Sequence, residues 1–282
     1  MGKSEKNLPQ EYSVSRRGED IDEKTLGGRV TTFLGVGFFS VAVCVSIFLI
    51  VFTIVFFFSR VFGPSMMTIL NEEFHNLPPN LRNTDSVIVN RHRTPQINDI
   101  IVVRHYADGV PSDTREWQQD ARGWFQLYIK RLIATEGSSI YLRRTGNSPN
   151  FIYYIEVDGR PFEESDDLDK QHWGVNRDST RNYFANMWNW IQNRTGPYSN
   201  FIEPRTHTRP DGTTFTRNEV VLPPGYMFFM GDNRLESHDS RAFGPQHIDL
   251  LVGVVVDIAR DRQSLPGWLW GRFVFYITFR WV

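Results

Sequence analysis

The sequence predicts a mainly β protein carried on a single N-terminal transmembrane helix. Three observations carry that prediction. Residues 30–59, "VTTFLGVGFFSVAVCVSIFLIVFTIVFFFS", hold no charged residue and no proline. From residue 81 onward the chain breaks into short runs rich in Val, Ile, Tyr and Phe, bounded by Gly, Pro, Asn and Asp. The hydrophobic fraction is 40%, yet mean hydropathy is −0.36, so the apolar residues are concentrated in one place and the remainder has the composition of a soluble domain.

The elements follow in order. Residues 1–29 form a polar leader to the span. About 20 apolar residues suffice to cross a bilayer as a helix, so 30–59 crosses with room to tilt. The run is too long, and its end too bulky in phenylalanine, for a cleaved signal peptide. Lys3, Lys6, Arg16, Arg17, Lys24 and Arg29 precede it, and only Arg60 follows closely. The excess of basic residues puts 1–29 in the cytoplasm and the rest outside. Lys6 stands where a myristoylation signal needs Ser or Thr, which excludes that lipid. The single cysteine, Cys44, lies inside the span, so no intrachain disulfide forms. A formal net charge of −1 argues against nucleic acid as a partner.

Residues 60–265 read as one β domain. The runs "DSVIVNRH", "NDIIVVRHY", "GWFQLYIKRLIATEG", "SSIYLRR", "FIYYIEVDG", "NEVVLPPGYMFFMGDN" and "LLVGVVVDIARD" alternate with turn residues at the spacing of a sandwich or barrel-like fold. Composition changes over about 164–218, which reads as a mixed insertion. Within it Tyr183, Phe184, Met187, Trp188 and Ile191 recur at helical spacing. Ser179 or Thr180 is placed to cap the start and Gly196 the end. Residues 266–282, with Arg272, Arg280 and Trp281, suit the membrane interface.

Three segments carry reactive groups. "FGPSMM" puts Ser65 just after a Gly63-Pro64 turn signal, a few residues past the span. A sharp turn can present a hydroxyl and aim backbone N–H groups at one spot, although the same dipeptide also makes plain turns. Val61, Phe62, Met66 and Met67 are expected to form an apolar lip facing lipid or substrate. None of the seven histidines has an obvious Asp or Asn partner in its own motif. Lys130 differs. Phe125, Leu127, Ile129 and Ile133 line one face of its strand, while Trp124, Tyr128, Leu132 and Ala134 share the other face with it. A strand buried on both faces desolvates the amine and lowers its pKa, as a base needs. A lysine that snorkels to solvent fits the same pattern. The third segment, "GDNRLESHDSR", gathers Ser237, Asp239 and Arg241 after a hydrophobic strand. Asp239 and Arg241 suit an ion pair, and Ser237 suits a hydrogen bond to an amine. No metal-ligand spacing is present, and nothing calls for a cofactor.

Taken in order, "GPSMM", "YIKRLIATEG" and "GDNR..S.DSR" resemble the bacterial type I signal peptidases, over roughly residues 30–165 and 219–260. The resemblance implies a membrane-anchored β-rich serine endopeptidase that removes signal peptides from exported preproteins, with the lipid bilayer as its other partner. It implies Ser65 as nucleophile and Lys130 as neutral general base. It further implies Ser237 as the serine that orients the lysine, and Asp239 with Arg241 as a supporting pair. The oxyanion donors would be the Ser65 N–H and the backbone at Gly63. Two departures stand out. Thr68 replaces the family proline in "SMMTIL", and "LE" replaces an acidic-Asn pair before Ser237. Outside the resemblance two readings remain: an anchored β domain that binds an extracytoplasmic partner without catalysis, and a Ser/Lys regulator that cuts its own chain.

Overall fold

The computed structural model describes residues 23–61, 65–66, 70, 85–106, 118–147, 151–162, 183–234, 236–259 and 267; side chains at 23–30 and 32 are not part of that description. The chain divides into two units, at Met1–Phe52 and Thr53–Val282. Helix α1 spans Glu23–Val55. Its segment Phe33–Val55, 23 residues, is long and apolar enough to cross a membrane. At 1.5 Å per residue it reaches about 35 Å, against about 30 Å of hydrocarbon. Phe33, Phe38 and Phe39 are largely exposed, with no protein cover. The Ser40 and Ser46 hydroxyls donate back to the carbonyls of Val36 and Ala42, at 2.9 and 2.8 Å, so neither polar group needs water.

The helix ends earlier than the apolar run. Phe56–Arg60, expected to lie largely within the 30–59 span, form strand β1. β1 pairs antiparallel with β2 (Ser86–Asn90), placing Phe57 opposite Val89. In a run with no charged residue and only scattered Ser and Thr, periodicity cannot mark where helix gives way to strand. Aromatic residues favour strands, and Phe57 gains a place against the buried Val87 and Val89.

The strands after β2 are β3 (Ile100–Tyr106), β4 (Gln118–Asp120), β5 (Gly123–Ala134), β6 (Ser139–Thr145), β7 (Ile152–Val157) and β8 (Arg160–Pro161). Helix α2 (Tyr183–Asn193) precedes β9 (Ile202–Thr208), β10 (Thr214–Val221) and β11 (Tyr226–Met230). A short helix α3 (Ser240–Phe243), then β12 (Gln246–His247) and β13 (Leu251–Ala259), complete the described chain. The large sheet runs β1-β2-β13-β3-β5-β11-β12, with β4 beside β5; the small one runs β8-β7-β6-β10-β9. The pairings are antiparallel throughout, and the protein is mainly β, as expected.

Part of the segment taken as an insertion belongs to the sheets. β9 and the first residues of β10 pair over Thr208–Ile202 and Thr214–Val220, which makes 202–218 an edge of the small sheet. Their alternation is hidden because one face carries Arg, His and Glu, while the other, which begins with the core-packed Ile202 and Val220, continues as exposed Pro204, Thr206, Thr208, Thr214 and Thr216. α2 packs Phe184, Met187 and Ile191 onto Ile140, Leu142, Tyr153 and Ile155 of that sheet. Arg194, not the expected Gly196, takes the left-handed conformation just past Asn193, with φ +54°, and the Thr195 N–H bonds back to the Trp190 carbonyl. Gly196 opens the next turn with φ +64°, where a Cβ would strike the Trp190 ring. The expected caps Ser179 and Thr180, and the tail from 268 on, lie outside the described residues.

Candidate active site

β5 is held from both sides. It pairs with β3 over Ile100–Tyr106, setting Lys130 opposite Ile101, and with β11, setting Leu132 opposite Phe229. Alternation then sends Ile129 into a cluster with Val102 and Val89, and Leu132 into one with Ile101, Val103 and Phe229. Lys130, between them, is 3% exposed. Its Nζ stands 2.9 Å from Ser65 Oγ. Burial is the main reason its pKa is lowered, to about 8; Asp239 and Asp232 pull it up, and Arg241 pushes it down. Arg131, next to it in the chain, adds nothing to that push. Arg131 is neutralised by a bidentate pair to Asp232, at 2.7 Å for each arm, and donates its third arm to the Asn98 carbonyl.

Ser65 is fixed by its neighbours on both sides. Its carbonyl accepts from the Asn233 N–H at 3.0 Å. Met66, the next residue, is 1% exposed and packs with Leu70 and Ile129, so Met66 and Val61 belong to the core rather than to a lip. Burying a flexible thioether beside the reactive serine fills the irregular space under the turn. Among the described residues, Lys130 is the side chain that hydrogen-bonds the Ser65 hydroxyl, and no histidine does. Phe62, Gly63, Pro64, Met67 and Thr68 lie outside the described residues, including the expected second oxyanion donor at Gly63.

The segment 231–241 closes behind the pair. Arg241 Nε and NH2 donate to the two oxygens of Asp239, each at 2.8 Å. Its remaining donors hold the Arg234 and Ser237 carbonyls at 2.7 and 3.2 Å. Asp239 also accepts from the Gly231 N–H at 2.9 Å and from the Arg241 N–H that begins α3. Burial pushes this carboxyl's pKa up, but the Arg241 charge and its hydrogen bonds outweigh that and hold it at about 2, with the Gly231 N–H and the nearby Ser237 hydroxyl adding. α2 reaches the same place: the Arg241 guanidinium lies 4.7 Å over the Phe184 ring. The Tyr198 hydroxyl donates to the Ser240 carbonyl, and the Ser240 hydroxyl accepts from the Phe229 N–H.

Ser65 and Lys130 therefore meet, and Asp239 and Arg241 pair as expected. Ser237 is buried, and its hydroxyl makes no hydrogen bond of good geometry, to Lys130 or to any other described group. Two contributors carried no sequence signal of their own. Arg131 ties β5 to Asp232, and Gly231 permits a close approach of three segments. A Cβ on Gly231 would lie 2.5 Å from the Ser65 carbonyl oxygen and run into the Ser237 side chain. The "GDN" turn hints at the glycine, but only the fold supplies the reason.

The Ser65 hydroxyl thus faces a desolvated amine, with a buried ion pair behind it. A family model for signal peptidases, peptidase S26, matches residues 38–258, and the chain belongs to that family. Among solved structures it is similar to a signal peptidase I from Enterococcus faecalis, at 21% identity over 57% of this chain and 97% of that one, with a TM-score of 0.26. Comparison with curated proteins finds no match.

Proposed function

We propose that this protein is a membrane-anchored serine endopeptidase that removes signal peptides from exported preproteins. The Lys130 amine, 2.9 Å from the Ser65 hydroxyl and brought down to a pKa of about 8, carries the reading. The neutral form of the amine, whose share grows as pH rises through about 8, takes the serine proton as the oxygen attacks the peptide carbonyl. The resulting ammonium then protonates the leaving amine. The acyl-enzyme is hydrolysed by water activated at the same nitrogen. Carbonyl oxygen charge would be met by the Ser65 N–H and a backbone donor at Gly63. Ser237, a buried hydroxyl beside Gly231, would orient the amine, and the Asp239–Arg241 pair would keep that loop in place.

α1 would anchor the enzyme with residues 1–29 in the cytoplasm and the β domain outside, where a signal peptide's cleavage site leaves the bilayer. Membership of the signal peptidase family supports the substrate class. The experiment is cleavage of a preprotein by the full chain in detergent. Ser65→Ala and Lys130→Arg are each expected to lower kcat by about 10⁴-fold or more, with the fold intact by circular dichroism. Arginine keeps the charge and stays protonated, so it cannot act as a base. Wild-type kcat/KM should rise with pH through about 8. A folded Lys130→Arg enzyme that still cleaves would overturn the mechanism.

A further inference from the structure

The Lys130 amine rests on an aromatic column that belongs to none of the hydrogen-bonded groups above. Its Nζ lies 4.9 Å from the centroid of the Tyr128 ring. His105 stacks on that ring, with centroids 4.7 Å apart and planes 15° apart. The register explains the meeting. Ile101 pairs with Lys130 and Val103 with Tyr128, so His105, two residues on, sits diagonal to Tyr128 on the same sheet face. His105 also stacks on Phe243 of α3 at 5.1 Å and meets His238 edge-on at 5.9 Å. His238 in turn meets Phe243 at 5.3 Å and Tyr183 of α2 at 5.7 Å.

We propose that His105 is a positioning residue, which clamps the Tyr128 ring beneath the Lys130 amine and so keeps that nitrogen dry and aimed at Ser65. This rests on the Ser/Lys reading. Tyr128 is only half-buried on its own strand, so its ring needs a neighbour to stay under the amine. His105, from the adjacent strand, is that neighbour, and Phe243 backs it from the other element. The titratable groups facing His105 are Tyr128 from β5 and His238 from the segment before α3, with Tyr183 of α2 beyond His238. The charges acting on Lys130 itself are Asp239, Arg241 and Asp232. The clamp is made by ring-on-ring contacts, so phenylalanine should replace it.

The direction of the effect follows from the balance at the amine. Loss of the clamp removes a cation–π contact, which lowers a lysine pKa, and admits water, which raises it. Burial is the largest influence on Lys130, so the second change wins. The test uses the full chain in detergent micelles and two readouts: the Lys130 ¹⁵Nζ titration, assigned by its loss in Lys130→Arg, and kcat/KM against pH. His105→Ala is expected to raise the amine pKa and to move the rising limb of kcat/KM with it. A shift of about half a unit cuts the rate at neutral pH about three-fold. His105→Gln, which keeps a polar side chain without a ring, should match His105→Ala, and His105→Phe should match wild type in both readouts. Unmoved titrations in both Ala and Gln variants would overturn the proposal, as would a Phe variant that shifts as far as they do. If the wild type cleaves no preprotein but its amine still responds to His105 in this pattern, the peptidase reading falls and the clamp stands.

Discussion

In the large sheet and the segment behind it, Lys130, Asp232, Arg234, Asp239 and Arg241 are each 3% exposed or less. In the small sheet the interior shared with α2 is apolar, and the charges form one network on the opposite face. There Arg217 binds Glu219 at 2.7 Å and Glu156 at 2.9 Å, while Glu219 also meets His207 at 2.7 Å. Glu156 alternates with the core residue Ile155, and Glu219 with Val220, so a period-2 strand keeps charge and core apart. Burying an ion costs several kcal/mol, and apolar residues of the same volume stabilise at least as well. The large sheet carries that cost at Lys130, a buried amine whose hydrogen-bond partner is the Ser65 hydroxyl. The small sheet buries Glu219 as deeply, at 1% exposed, but pairs it directly with Arg217 and His207.

The largest test of this contrast is Asp239→Ala, which leaves the Arg241 guanidinium buried without its carboxylate. A loss of about 3–5 kcal/mol is expected in the thermal unfolding of the full chain in detergent. Glu156→Ala should cost about 1 kcal/mol, because Arg217 keeps Glu219. Equal losses would erase the distinction between the sheets. The Asp239 contribution also has a pH window. Its folded pKa, about 2, lies below the usual carboxylate value, so the native state binds fewer protons than the unfolded chain. The stabilisation is complete above about pH 4 and disappears as pH falls through the folded pKa. The gap between wild type and Asp239→Ala should close over that range.

Gly231→Ala should come next. A methyl group 2.5 Å from the Ser65 carbonyl forces the turn or the 231–241 segment to move. About 1–3 kcal/mol of stability should go, and kcat should fall by about 10²-fold, the penalty of misplacing a reacting group by an ångström. A fully active alanine variant would mean that the three segments are not held as closely as the structure has them.

Lys130→Met is expected to act in the opposite sense, raising stability by roughly 2 kcal/mol at pH 7 while abolishing cleavage. Between about pH 8 and 10 the unfolded lysine holds a proton that the folded one has lost, so wild-type stability climbs with pH. The advantage of methionine should fade over that interval. An advantage independent of pH would trace to packing instead of to the buried amine. The smallest effect belongs to the exposed Glu203–Arg205 pair at 3.9 Å: Arg205→Ala should change stability by under about 0.5 kcal/mol.

Much of the site was legible because its reactive residues sit in local contexts that mark them. A lysine in a strand apolar on both faces faces desolvation wherever that strand lies, and Lys130 is indeed buried. Asp239 and Arg241, two residues apart, need only a tight turn to pair. What the sequence withheld depends on contacts across the chain. The Arg131–Asp232 pair joins residues 101 positions apart, and no local pattern distinguishes Arg131 from a surface arginine. Met66 reads as an apolar lip from its neighbours and as core from the sheet it meets. Phe56 reads as helix until β2 pairs with it. At 202–218, a polar-looking edge strand escaped notice because Pro, Thr and Asn, and not aliphatic residues, alternate with its Arg, His and Glu.

The order of strands in the large sheet also bears on when the enzyme becomes competent. β13 is the last of the described strands along the chain, yet it lies in the middle, with β2 on one side and β3 on the other. Everything on the β2 side, including the segment that leads from β1 to Ser65, is joined through the sheet to the Lys130 side by that final strand. A chain still being synthesised owns both reacting residues by position 130, but has no ladder to register one against the other until β13 inserts between them. Such non-local closure is slow, because a long loop must be ordered before its contacts form. The strand order therefore predicts that Ser65 and Lys130 come into register late in folding, in one step, when β13 takes its place between β2 and β3.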